Sequence, residues 1–262
     1  MSKENNPLLA NIKLPGRMFQ LPSKGLFYDK GELADLVKEG EIHVHPMSAL
    51  DEINLKNPDQ LFSGKAIETV SKQCIEGIAN STQLLAKDVD ALMLFLRAVT
   101  YGPNFEFVAK HNCEGSKEHT YVADIDKMIN SMKMIDATIL EEQYSLTLPN
   151  GQIVKLQPNR YQQVIDLIKK NENKTEITVE DQKENLISMI LGVVRDVNGI
   201  SDPEKIEEWA RNISQPMVNL IGQKVDSLSD WGPDLKWKCK CPDCGTEFSV
   251  EIPINPVSFF TE

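Results

Sequence analysis

Apolar and polar residues change their spacing several times along the chain, and each change predicts a new element. In "EIHVHPM", Ile42, Val44 and Pro46 alternate with His43 and His45, the two-residue period of a strand that stops at a proline. The segment before it reads as extended and loop-rich. Leu14-Pro15 and Leu21-Pro22 bias both leucines away from helix, Gly16 and Gly25 supply turns, and Leu33, Leu36 and Val37 mark a short apolar stretch. From Ser48 to Thr100 the period becomes helical. Asn57-Pro58 reads as a cap followed by a first-turn proline. In "DVDALMLFLRAVTYG", Val89, Leu92, Met93, Leu96 and Val99 follow the i, i+3, i+4, i+7 rule of a core helix, closed by Gly102 and Pro103.

Beyond it, "FEFVAKHNCEGSKEHTYVADI" places two β-rich arms around a glycine-containing turn, and a short helix is expected near Ile125–Met134. "YSLTLPNGQIVKL" predicts a hairpin turning at Asn150-Gly151, the preferred pair for a two-residue type I′ turn. Helices should follow at about 159–171, 179–198, 203–213 and 215–228, the third started by Asp202-Pro203. The polar run "KKNENKTE" at 169–176 is the best linker candidate, and no tandem repeat is present.

Composition narrows the class. With 262 residues the chain is long enough for a substantial core. A hydrophobic content of 41%, no apolar run of membrane length and no signal-type N-terminus point to a soluble protein of a reducing cytoplasm, with no membrane partner. The formal charge of −11 opposes nucleic-acid binding, which needs clustered Lys and Arg.

The five cysteines are odd in number and three of them cluster, which favours metal over disulfides. Those three, Cys239, Cys241 and Cys244, lie in "KWKCKCPDCGTEFSV". When "FVAKHNCEGSKEHTYV" is set over "LKWKCKCPDCGTEFSV", His111 falls on Cys239, Cys113 on Cys241 and Ser116 on Cys244, an offset of 128 from 241 − 113. Two related hairpins clamping one tetrahedral Zn²⁺ is the plan of a zinc ribbon. The preferred ligand set is Cys113, His119, Cys241 and Cys244, with Cys239 the main substitute and His111 behind it. Four protein ligands close a site to reacting water, so such a zinc is structural. The bland alternatives are a redox pair or unused thiols; His111 and His119 taken singly read as surface residues, and Cys74 as a small core residue.

No metalloprotease, hydrolase-elbow or kinase signature is present, and Gly64-Lys65 in "FSGKAI" lacks the rest of a phosphate loop. Asp88 and Asp90 read as residues favouring a helix N-terminus. The expectation is therefore a non-enzyme. Two aromatic strips are candidate partner-binding segments: Leu26, Phe27 and Tyr28 in "LPSKGLFY", and Phe259 and Phe260 in "IPINPVSFFTE". Each either lines the core or docks on another protein. A zinc-ribbon nucleic-acid binder, with Lys236, Lys238 and Lys240 as its basic residues, is the main alternative. A zinc hydrolase using Asp243 or Glu247 as base ranks below it.

The order of "LPSKGLFY", "HPMSALDEINLKNPDQLFSGKAI", "DVDALMLFLRAVTYG" and "HNCEGSKEHTYV" resembles the baseplate hub assembly proteins of T4-like tailed phages, most closely over about residues 14–125. The resemblance implies a late viral protein that helps build the hub of a contractile-tail baseplate, without enzymatic activity. Its partners would be other hub or wedge proteins, in the host cytoplasm, with retention in the virion baseplate left open. The expected fold is α+β, a mostly helical body with small hairpins and a split zinc-ribbon-like site joining the mid-chain and C-terminal hairpins. Three regions are expected: 1–125 ending in the first zinc hairpin, 126–230 as a hairpin and helical region, and 231–262 as the zinc knuckle and aromatic tail.

Overall fold

Residues 14–29, 31–34, 37–57, 65–78, 80–115, 117–140, 144–171, 178–254 and 259–260 are described by a computed structural model of the chain. The alternating histidine segment is a strand, β2 (Glu41–Val44), paired antiparallel with β1 (Arg17–Gln20) so that Arg17 faces Val44. Ile42 and Val44 point into the core, as the two-residue period requires. Helix α1 (Ala49–Leu55) starts at Ser48, which forms a reciprocal capping box with Asp51. After α2 (Lys65–Cys74), the long helix α3 (Ala86–Tyr101) crosses the centre.

The period of α3 predicts one buried stripe, yet Ala91 through Ala98 are buried without a break. An apolar run packed on all sides has no exposed face to mark the stripe. Phe19 of β1 stacks on Phe95 with ring centres 4.4 Å apart. Strands β3 (Asn104–Lys110) and β4 (Glu118–Asp124) follow as an antiparallel hairpin, and α4 (Ile125–Asn130) is capped by the Asp124 side chain.

A second layer is built from β5 (Ser145–Thr147), β6 (Ile153–Leu156), α5 (Tyr161–Asn171), α6 (Val179–Val193), β7 (Val194–Val197), α7 (Pro203–Asn212) and α8 (Gln215–Ser227). The chain ends its regular structure in the hairpin β8 (Lys236–Lys240) and β9 (Glu247–Glu251). Among the described residues the body is therefore α+β, with eight α-helices, three two-stranded sheets and one sheet ordered β5-β6-β7.

Two expectations need correction. The helix expected over 179–198 stops at Val193, and Val194–Val197 becomes a strand against β6, with Val194 and Val197 buried. Val194 and Val197 can share the inner side of a helix or of a bulged strand around the charged Arg195 and Asp196, and the edge of β6 decides for the strand. The β5–β6 turn is not the two-residue type I′ form. Thr147 and Ile153 are the last paired residues, Gly151 N–H bonds Leu148 O at 2.9 Å, and only Gly151 takes a positive φ (82°). Pro149 fixes a negative φ, which favours a longer turn closed by a left-handed glycine. Pro58 of the expected Asn57-Pro58 helix start, and residues 172–176 of the expected linker, lie outside the described residues.

Among the described residues the buried side chains form two large clusters and a small one. The first joins residues 19–132 to Cys239, Ile252, Phe259 and Phe260; the second runs from Tyr144 to Ile221. Between them, Leu85, Ile135 and Trp231 make a seam against which Leu26, Phe27 and Tyr28 pack. This arm is fixed by Asp88, in the first turn of α3: one carboxylate oxygen accepts Ser23 N–H at 3.0 Å, and the other accepts the Tyr28 hydroxyl at 2.7 Å. Tyr28 Oη in turn accepts Leu85 N–H at 2.8 Å.

Burial pushes the Asp88 carboxyl up from 3.8 to about 6, although Ser23 and Tyr28 pull it down. Asp90 is raised to about 6 by burial as well. Below the unfolded value Asp88 is neutral in both states and its burial carries no ionisation cost; as pH rises toward the folded value the cost grows. From pH 4 to pH 7 Asp88 should remove about 2 kcal/mol of stability. Urea unfolding across that range should give a drop about 2 kcal/mol smaller in Asp88→Asn than in the parent chain; equal drops would show that Asp88 does not titrate there.

Candidate metal centre

Two hairpin turns from distant parts of the sequence face each other. In the first, the paired strands end at Lys110 and Glu118, and Cys113 N–H bonds His111 O at 3.0 Å, so His111 and Cys113 project from one tight bend. In the second, Cys241 N–H bonds Thr246 O at 2.9 Å and Gly245 N–H bonds Cys241 O at 2.9 Å. Gly245 has φ 74°, a conformation that suits glycine and lets "CPDCG" present both thiols on one side.

His111, Cys113, Cys241 and Cys244 each offer a donor atom, all within 4.8 Å of one another. Cys113 Sγ lies 3.9 Å from Cys241 Sγ, and Cys244 Sγ lies 3.3 Å from His111 Nδ1. A tetrahedral Zn²⁺ with Zn–S near 2.3 Å and Zn–N near 2.0 Å separates its sulfurs by about 3.8 Å and a sulfur from a nitrogen by about 3.5 Å. The donor set and its spacing fit that ion. Phe248 supports the imidazole from behind, its ring centre 4.8 Å from that of His111, and Tyr121 packs edge-on against Phe248.

Of the residues picked from sequence, Cys113, Cys241 and Cys244 come together here. His119 stands outside the group: it sits on β4 opposite Ala109, and its Nε2 lies 2.8 Å from Asp243 Oδ2. Asp243 also accepts Lys117 N–H at 3.2 Å, so it links the two turns, and these bonds, His119 first, hold its carboxyl below the usual range. Cys239 is likewise apart. It pairs with Phe248 in β8, is buried in the first core cluster, and burial pushes its thiol up. Cys74 is buried at the end of α2.

The fourth member is His111. The sequence signal for it was its match to Cys239 in the paired hairpins, but the structural equivalence is loose: one turn offers its donors as His-x-Cys, the other as Cys-x-x-Cys. The Cys244 thiol is pulled down to about 6, first by the Thr246 hydroxyl and backbone N–H and then by Cys113 and Cys241. A thiol so placed is largely thiolate at neutral pH, the form that ligates metal.

The aromatic strips turn inward. Phe259 and Phe260 are fully buried, Phe259 edge-on to Phe105 and Phe260. The Arg97 guanidinium, over the rings of Tyr101, Phe105 and Phe259, donates to Phe259 O, and Tyr101 Oη donates to Phe260 O at 3.1 Å. Leu26, Phe27 and Tyr28 line the seam between the cores.

Fold and site define an α+β protein in which a cysteine–histidine cluster joins a mid-chain hairpin to a C-terminal one. The chain belongs to the family described as T4 bacteriophage base plate protein, whose family model matches residues 36–261. Membership gives it a structural role among other baseplate proteins. No curated protein and no solved structure matches it. Among the described residues, no helix is long and apolar enough to cross a membrane.

Substituting ligands separates the two histidines. His111→Ala and Cys244→Ser should each weaken zinc binding by more than about 100-fold, whereas His119→Ala, which removes only the Asp243 link, should change it by no more than about 10-fold. Competition with a chromogenic chelator measures both, and the reverse order would return His119 to the ligand set.

Proposed function

We propose that this chain is a non-enzymatic hub assembly factor of a contractile-tail baseplate, held in shape by one structural Zn²⁺ on His111, Cys113, Cys241 and Cys244. The carrying observation is the convergence of those four donors from turns 128 residues apart. Four protein ligands leave no coordination position for substrate, so the ion's part is to lock the two hairpins together. The family supplies the setting, and hub or wedge proteins in the host cytoplasm are the partners this reading assigns.

The nucleic-acid reading is weaker on the fold than on the sequence. Lys236 and Lys240 on β8 lie directly opposite Glu251 and Glu247 on β9, and Lys238 lies opposite Ser249, so two of the three lysines are matched by acids across the strand pair. Binding to a phosphate backbone needs uncompensated charge.

A phage carrying Cys241→Ser with Cys244→Ser tests the proposal. The variant should accumulate unassembled hub and wedge proteins and few complete baseplates by electron microscopy, and the isolated chain should lose capture of those proteins. Normal baseplates from a stably expressed, metal-free variant would overturn the structural-zinc assembly role.

A further inference from the structure

A second cluster of donors lies beside β2, and the cysteine centre does not involve it. His43 and His45 are two apart on β2 and its extension, so their side chains share a face. The chain leaving α2 runs antiparallel beside them. His45 N–H bonds Cys74 O at 2.7 Å and Glu76 N–H bonds His43 O at 3.1 Å, with Val44 and Ile75 bridged between. The backbone thus carries Glu76 to the histidine pair.

Glu76 Oε1 lies 3.2 Å from His45 Nε2 and 3.8 Å from His43 Nδ1. The two rings meet edge to face with centres 4.3 Å apart, and one donor atom from each of the three residues falls within 4.8 Å of the others. Ligands held near 2.0–2.1 Å in a tetrahedral shell stand about 3.3 Å apart, which these separations bracket.

The rings are also buttressed from behind. A Cβ on Gly16 would come within 2.8 Å of His43 Nε2 and 3.0 Å of His45 Nδ1, so the β1 approach packs directly on their far nitrogens. Among the described residues His45 Nδ1 is buried with no hydrogen-bond partner, so packing against β1 sets the ring and leaves Nε2 turned toward Glu76.

We infer that His43, His45 and Glu76 form a second metal site, for a divalent transition cation such as Zn²⁺ or Co²⁺, with one position open to water. Two imidazoles and one carboxylate suit those ions and not Ca²⁺ or Mg²⁺, which want an oxygen shell. The Glu76 side chain is 58% exposed, so the open position faces solvent. Bound there, the cation ties the end of α2 to the first sheet, as the cysteine centre ties the later hairpins.

Titrating the reduced, chelator-stripped full chain with Co²⁺ tests this apart from the cysteine centre, because only that centre gives sulfur-to-cobalt charge-transfer absorption. Two equivalents should bind, one of them without adding to the sulfur band. Glu76→Gln and His43→Ala should each weaken the sulfur-silent equivalent by at least about tenfold and leave the sulfur band unchanged. Cys241→Ser with Cys244→Ser should do the opposite. Absence of a sulfur-silent equivalent in the parent chain, or its survival in both Glu76→Gln and His43→Ala, overturns the second site.

Discussion

Everything at the C-terminal end of this fold depends on two hairpin turns being held face to face. Three thiols and an imidazole within 4.8 Å form an electrostatic problem as much as a geometric one. As the sulfurs ionise they repel, and the Cys244 thiol is pulled down to about 6. A divalent cation would turn that repulsion into attraction; in small zinc peptides it contributes on the order of 10 kcal/mol. Asp243 adds a lesser link by bridging to His119 and to the Lys117 amide. Apolar packing adds a third, since Cys239, Ile252, Phe259 and Phe260 enter the same core as Phe105 and Phe107. The hairpin pair is thus clamped at its turns and bedded at its base.

The two cores meet through a different device. Leu26, Phe27 and Tyr28 lie in the seam, and the polar atoms brought inside with them are answered one by one. Asp88 takes the Ser23 amide and the Tyr28 hydroxyl, while Arg160 reaches Glu32 Oε1 at 2.9 Å, Phe27 O at 3.1 Å and Gln83 O at 2.6 Å. Arg160 immediately precedes α5, so the arm that crosses α3 is also tied to the second layer. Burying such groups is tolerable only because nearly every one has a partner. The raised pKa of Asp88 is the residual cost of this arrangement.

The sequence made short-range geometry legible and long-range geometry only in part. The strand at 41–44, the β3–β4 arms and the Asp202 cap follow from local period and local chemistry. The fate of Val194–Val197 does not, because whether this stretch becomes helix or strand depends on a partner edge, here that of β6. The same limit explains the histidines. Aligning the hairpins brings Cys113 to Cys241, and the sulfurs do approach, but which neighbour completes the group depends on how each turn bends. The His111 carbonyl accepts the Cys113 amide, curling both side chains one way, while His119 remains in the ladder and faces Asp243. Glu76 gave no signal at all, since its relation to His43 exists only once the chain returns from α2.

A structural role among baseplate proteins places demands on such a chain that the inward-facing aromatics help to meet. Had Phe259 and Phe260 been exposed, two adjacent aromatics would have offered an indiscriminate sticky patch before any partner arrived. Buried, they anchor the C-terminal segment through Arg97 and Tyr101. Two of the apolar residues left exposed are set among charges. Val108 and Val122 share the outer face of the β3–β4 hairpin with Glu106, Lys110 and Glu118. Recognition on a surface of that kind rests on shape and the placement of charge, which favours selectivity over bulk apolar affinity. Such a surface keeps its shape only if the hairpin beneath it is rigid, and the β3–β4 hairpin is one of the two whose turns meet at the cysteine–histidine cluster.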